Sequence, residues 1–160
     1  MSGDTVGRVL SILAVHSADV IAENLSFAAR WPFAGAQLHR APNGSTVISL
    51  RLEPSVLGSM PESHQHLDLF VLQPESELGA HFHKQATAHV FGLAGEAVAT
   101  VGPTRLRLAP DCKAVFKAGE IHNVQSADET VVFASFQDSP IILSDGTLDY
   151  FLPDDPDFEG

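Results

Sequence analysis

The stretch that decides the fold runs Glu75-Ser-Glu-Leu-Gly-Ala-His81-Phe-His83-Lys-Gln-Ala-Thr-Ala88-His-Val-Phe-Gly-Leu-Ala-Gly95. On an extended chain, residues i and i+2 point to the same face. His81 and His83 therefore project together, with backbones about 7 Å apart, close enough to share one ion. Downstream, Lys117-Ala-Gly-Glu-Ile-His122 places a turn at Gly119 and feeds His122 into another strand. If that strand lies beside the first, three imidazoles converge. Neutral imidazole is a common ligand of transition metals, and a strand holds it in place.

Outward from this core the texture stays strand-like. Thr46–Leu52 alternates and ends at Pro54, and Leu67–Leu72 ends at Pro74. Ala97–Val101 turns at Gly102-Pro103 into Thr104–Leu108. Ala114–Phe116, Thr130–Phe136 and Ile141–Leu143 complete the set. Evenly spaced short strands with turn residues between them predict a sandwich or barrel. Residues 4–30 differ: Val6, Val9, Leu10, Leu13, Ile21, Leu25 and Ala28 recur at roughly helical spacing, and Ser17 with Asp19 offers a second start. One or two short helices are expected there, or else a strand extending the sheet. The expected organisation is an extension over 1–45 packed on the barrel, a barrel over 46–144, and an acidic tail over 145–160. In that tail, Tyr150, Phe151 and Leu152 are expected to dock.

Composition narrows the function. At 160 residues with 44% hydrophobic content, the chain can bury one real core. The formal charge of −11, from 9 Lys and Arg against 20 Asp and Glu, repels phosphate backbones and argues against nucleic acid or an anionic membrane as partner. Cys112 is the single cysteine, which excludes an internal disulfide and a zinc site built on several thiolates. No apolar run approaches a membrane span. Val9–Val15 behind Arg8 faintly resembles a signal peptide, but Asp4 and the lack of a basic cluster argue against one, so the cytoplasm is expected.

The stretch Leu67–Phe136 resembles the cupin superfamily, double-stranded β-helix barrels of jelly-roll type. The first cupin motif, G-x5-H-x-H-x3-4-E-x6-G, is matched at His81, His83 and Gly95, with Glu75 in place of the opening glycine and Ala88 in place of the glutamate. The second, G-x5-P-x-G-x2-H-x3-N, is matched at Gly119 and His122, with departures at Asp111, Lys117 and Ser126. The resemblance implies an all-β jelly roll and one divalent metal on His81, His83 and His122.

Metal-binding cupins usually add a glutamate, and Ala88 removes it. Three readings stay open. The site has three histidines and an open position, as in some thiol and diketone dioxygenases; a bulge turns His89 inward as a fourth ligand, against strand alternation; or the metal is lost. Fe(II) is the favoured ion, while Zn, Ni, Mn and Cu also suit imidazole.

Other histidines carry blander expectations. His64-Gln65-His66 is a second His-x-His, expected at a solvated strand edge, and His16 and His39 are expected on the surface. Cys112 reads as a small buried apolar residue and Lys117 as a solvated lysine. Glu120 and Asn123 either orient His122 or belong to its loop. A pocket lined by Val90, Gly92, Phe116, Val124 and Phe133, with Phe133 or Phe136 as its cap and Gly92 opening space, would favour a small, mainly apolar ligand. The expected function is that of a metal-binding cupin acting as a non-haem Fe(II) dioxygenase-type enzyme on a small organic substrate. A non-catalytic metal- or ligand-binding sensor is the alternative, and a sugar isomerase or epimerase ranks third because Arg and Lys are scarce. The resemblance also implies a homodimer.

Overall fold

The structure, a computed structural model, describes residues 2–15, 32–40, 45–143 and 145–153. The helical spacing of Val6, Val9, Leu10 and Leu13 produces α1, Ser2–Val15. Val9 and Leu13 are buried, and Val6, Leu10 and Ile12 pack partly against the same cluster. The second helical reading, on Ser17, Asp19, Ile21, Leu25 and Ala28, lies outside the described residues, as does His16.

After α1 come β1 (Phe33–Arg40), β2 (Thr46–Leu52), a one-turn α2 (Pro54–Leu57) and a 3-10 turn at Glu62–His64. The remaining strands are β3 (His66–Leu72), β4 (Ala88–Ala94), β5 (Ala97–Val101), β6 (Thr104–Leu108), β7 (Lys113–Phe116), β8 (His122–Ser126) and β9 (Val131–Gln137). Among the described residues they form a six-stranded sheet, β1-β2-β3-β9-β4-β7, and a three-stranded sheet, β6-β5-β8. All pairings within them are antiparallel. The chain is thus an all-β jelly roll carrying an N-terminal helix, so of the two alternatives for residues 4–30 the helix is the one seen in the described part; β1, which extends the sheet, lies beyond that stretch and is not among the strands expected from sequence. No described helix is long and apolar enough to cross a membrane.

Alternation along the strands divides the core in two. One face of the large sheet carries Ile48, Leu50, Leu67, Leu69, Val132, Ala134 and Phe136, and α1 packs over it through Val9 and Leu13. Burying each such Val, Leu, Ile or Phe side chain contributes about 1.5–3 kcal/mol. The opposite face looks into the barrel and carries Leu72, Ala88, Val90, Val131 and Phe133, meeting Ala99 and Val124 of the small sheet.

Two expectations need correction. Ile141–Leu143 is not a strand: only Ile142 makes a bridge, to Leu148, and Leu143 closes a tight loop by donating to Thr147 O at 2.9 Å. Gly92 opens no space. A Cβ there would stand 2.1 Å from the Ala109 carbonyl oxygen, so glycine is required for the turn over residues 109–112 to lie against β4.

Candidate metal centre

His81 and His122 face each other as an antiparallel bridge, each backbone N–H donating to the other's carbonyl at 3.0 and 2.8 Å. This pairing brings β8 beside the His81–His83 segment. The three rings lie with centroids 4.3 Å (His81–His122) and 5.0 Å (both pairs with His83) apart. One nitrogen from each lies within 4.8 Å of the others. All three residues are buried.

The hydrogen bonds decide which nitrogen faces the centre. His81 Nδ1 lies 2.6 Å from Gly79 O, His122 Nδ1 lies 3.0 Å from Glu120 O, and His83 Nδ1 contacts Asp149 O. A carbonyl oxygen can only accept, so each Nδ1 carries the hydrogen and each Nε2 keeps a lone pair. Burial first, and the neighbouring imidazoles second or third, hold the rings neutral. His81 falls to about 4 and His122 to about 3, and burial also lowers His83. Three neutral, oriented imidazoles fit a divalent transition metal. Bound there, such an ion would supply Lewis acidity, and redox chemistry if it were iron.

The supports come from distant parts of the chain. Asp149 is buried, and its carboxylate accepts the backbone N–H of Lys84 at 2.6 Å and of Gln85 and Ala86 at 2.9 Å. It locks the turn that follows His83, while its own carbonyl receives His83 Nδ1. Tyr150 stacks on His81 with centroids 4.4 Å apart, and Phe151 bridges Phe82. Asn123 Oδ1 accepts Gly79 N–H at 2.8 Å, steadying the carbonyl that orients His81. Glu120 acts through its backbone carbonyl on His122, and its side chain accepts Lys117 N–H at 3.3 Å. Lys117 itself is exposed.

No protein-family model and no curated protein sequence matches the chain. Solved structures do. A cupin-2 domain protein of Rhodospirillum rubrum is 20% identical, with 79% of each chain covered and a TM-score of 0.58. Oxalate decarboxylase of Bacillus subtilis is 17% identical over 74% of this chain and 31% of its own, with a TM-score of 0.56. A cupin domain of Schizosaccharomyces pombe is 17% identical over 63% of this chain and 66% of its own, with a TM-score of 0.50. The fold is a cupin.

The departures from the cupin motifs now have physical content. Glu75 and Asp111 stand where the motifs open with glycine, and they are the described non-glycine residues with left-handed backbones, at φ 55° and 71°. Both residues thus adopt a backbone conformation that favours glycine. Ala88 faces the barrel interior beside Phe116, its cross-strand partner. His89, the next residue, faces the other way, and no bulge reverses it. Its ring stacks on His64 at 4.6 Å, on the face with Phe91 and Phe136, so it does not join the three histidines. His64 is accordingly half-buried against His89 and Phe136, not a solvated edge, and burial followed by the nearby His89 lowers its pKa. His66 is exposed at the start of β3.

Beside the histidines opens a cavity of about 530 Å³, with His81 and His83 in its lining. Its walls are largely apolar: Val47, Phe70, Leu78, Ile142 and Leu148, with Tyr150. The lining expected from sequence stands elsewhere. Val90, Gly92, Phe116, Val124 and Phe133 are not among its lining residues. Val90 and Val124 fill the core; Phe116 stacks on His122 at 4.3 Å; Phe133 backs the wall by stacking on Phe70 at 4.9 Å. Phe136 belongs to the opposite core under α1. His39, expected on the surface, lines this cavity, and its Nε2 is buried without a partner. Nothing local in the sequence marks His39 or Asp149 for this site, because each reaches it through long-range pairing; Tyr150, expected to dock on the barrel, does so on His81. Cys112 is partly exposed, with Arg107 3.6 Å from its sulfur.

Proposed function

We propose that this cupin holds one divalent transition metal on His81, His83 and His122 and acts with it on a small, mainly apolar organic molecule. Fe(II) with O2 is the favoured chemistry; Zn, Ni, Mn and Cu suit the same imidazoles. The observation that carries this reading is the common pinning of Nδ1 on all three rings, which leaves three Nε2 lone pairs beside an apolar cavity. Substrate would enter between Tyr150, Phe70 and Leu148, and the unpartnered His39 Nε2 would meet its polar end. The test is elemental analysis of purified protein and of His122→Ala, with oxygen uptake by the Fe(II)-loaded protein on a panel of small thiols, diketones and phenols. Stoichiometric metal lost in the variant, and uptake with at least one substrate, are expected; absence of metal under every loading condition would sink the proposal.

Ala88 supports a second reading, a non-catalytic binding barrel, because among the described residues no carboxylate joins the three histidines. Tight binding of a panel compound without oxygen uptake would favour it. We further propose a homodimer with small-molecule partners only, in keeping with the charge of −11. Light scattering should then give twice the 17.1 kDa chain mass.

A further inference from the structure

A second cavity, also about 530 Å³, lies against the barrel face of β1, β2 and β3. Ile141 and Ile142 border both cavities, so the segment after β9 stands between this one and the histidines. The register places its polar side chains in one row: Gln37 opposite Ser49, and Ser49 opposite Asp68. Gln137 follows on β9, two residues beyond Ser135, the partner of Asp68.

Two acceptors meet here without enough donors. The Asp68 carboxylate is buried; it accepts Ser49 Oγ–H at 2.8 Å and is also approached by the Gln137 side chain, which still leaves its two oxygens with fewer donors than they can take. Gln137 is fully buried; its Nε2 donates to Ser135 O and Oγ at 3.1 and 2.6 Å, and its Oε1 has no partner. A carboxylate and an unpaired amide oxygen on one cavity suit a group that only donates. One carboxylate is too sparse a ligand set for calcium, which takes 6–8 oxygens. An ammonium, with three donors and one charge, matches in number and sign. Arg51, exposed and lining the same cavity, adds a guanidinium that pairs with carboxylates.

We infer that this cavity is a second binding site, independent of the metal centre, for a small zwitterion of the amino-acid type. Its ammonium sits on the Asp68 carboxylate and Gln137 Oε1, and its carboxylate turns outward to Arg51.

Calorimetry on the full chain, metal-free and metal-loaded, tests this with glycine, β-alanine and 4-aminobutyrate, beside propylamine and propionate. At least one amino acid should bind saturably in both metal states, more tightly than propylamine and much more tightly than propionate. Asp68→Asn keeps an acceptor for Ser49 and should weaken binding tenfold or more; Gln137→Met should weaken it severalfold. Arg51→Gln should weaken amino acids toward the propylamine level and leave propylamine unchanged. Thermal melts confirm that each variant is folded, and Gln137→Met provides an independent arm should Asp68→Asn fail to fold. The inference is overturned if none of the three amino acids binds saturably, which would leave only water in the cavity. It is overturned equally if affinity survives both Asp68→Asn and Gln137→Met within twofold, or if propionate matches the amino acids. Binding seen only with metal and lost in His122→Ala would place the ligand at the histidines and also overturn it, without touching the metal proposal.

Discussion

Asp68 should make the protein less stable as pH rises, and replacing it with Asn should remove this contribution. Burial raises its carboxyl from 3.8 to about 6, against the opposing hydrogen bonds from Ser49 and Gln137. The folded state therefore holds this proton more tightly than the unfolded chain does. Below about pH 3.8 both states are protonated and Asp68 carries no penalty. Between about pH 4 and 6 the unfolded chain releases the proton first, and the penalty grows. Above about pH 6 it is complete, ~3 kcal/mol at ~1.4 kcal/mol per pH unit. Asn keeps an oxygen for Ser49 and loses the charge-assisted part of that bond, so the net gain expected from Asp68→Asn at pH 7 is ~1–3 kcal/mol. The assay is urea unfolding followed by circular dichroism on metal-free wild type and variant, in parallel from pH 3.5 to 7.5. Groups common to both proteins cancel in the difference. The stability difference should be near zero at pH 3.5 and should open mainly between pH 4 and 6. A difference independent of pH, or a variant less stable than wild type at pH 7, would refute the assignment of a buried, reluctantly ionised carboxyl. A stabilising Asn would also mean that the native aspartate is kept at a cost in stability, which a ligand-recognising role explains.

Other changes have equally direct readouts. Asp149→Ala removes three hydrogen bonds to the backbone after His83, so we predict ~2–4 kcal/mol lower stability by chemical denaturation. Because the Asp149 carbonyl also orients His83, metal affinity should fall ~10–100-fold in a competition titration. Gly92→Ala drives a methyl into the Ala109 carbonyl, and a loss of ~3 kcal/mol or more is expected, read as a fall in the thermal midpoint. Glu75→Gly and Asp111→Gly relieve left-handed strain of ~1–2 kcal/mol each, less the entropy that glycine adds to the unfolded chain, so each should leave stability unchanged or raise it by up to ~1 kcal/mol.

The readings that succeeded from sequence rest on short-range rules. Period-two alternation with proline and glycine stops placed β2, β3, β5 and β6 almost to the residue, because pleating ties side-chain direction to chain position over a few residues. The same rule weighed against His89 as a ligand, and its ring indeed turns to His64. The helical spacing of Val6 to Leu13 likewise sufficed for α1. Gly92 misled because a missing Cβ reads alike whether space is left open or filled by another backbone, and only the position of Ala109 distinguishes the two.

His81, His83 and His122 carry a local signature, two on one extended segment and one after a glycine turn, and the sequence by itself singled them out. It also contained the loss of the carboxylate at Ala88. Their tautomers, neutrality and cavity belong to the tertiary structure alone. Gly79 and Glu120 supply carbonyls close in sequence, but Asp149 arrives from the far end of the chain through the Phe82–Phe151 bridge. The walls combine β1, β2, β3 and the segments after β9, and His39 joins them only because β1 pairs with β2. A side chain's direction follows from its own strand; its neighbours follow from which strands meet, and no local pattern of residues encodes that.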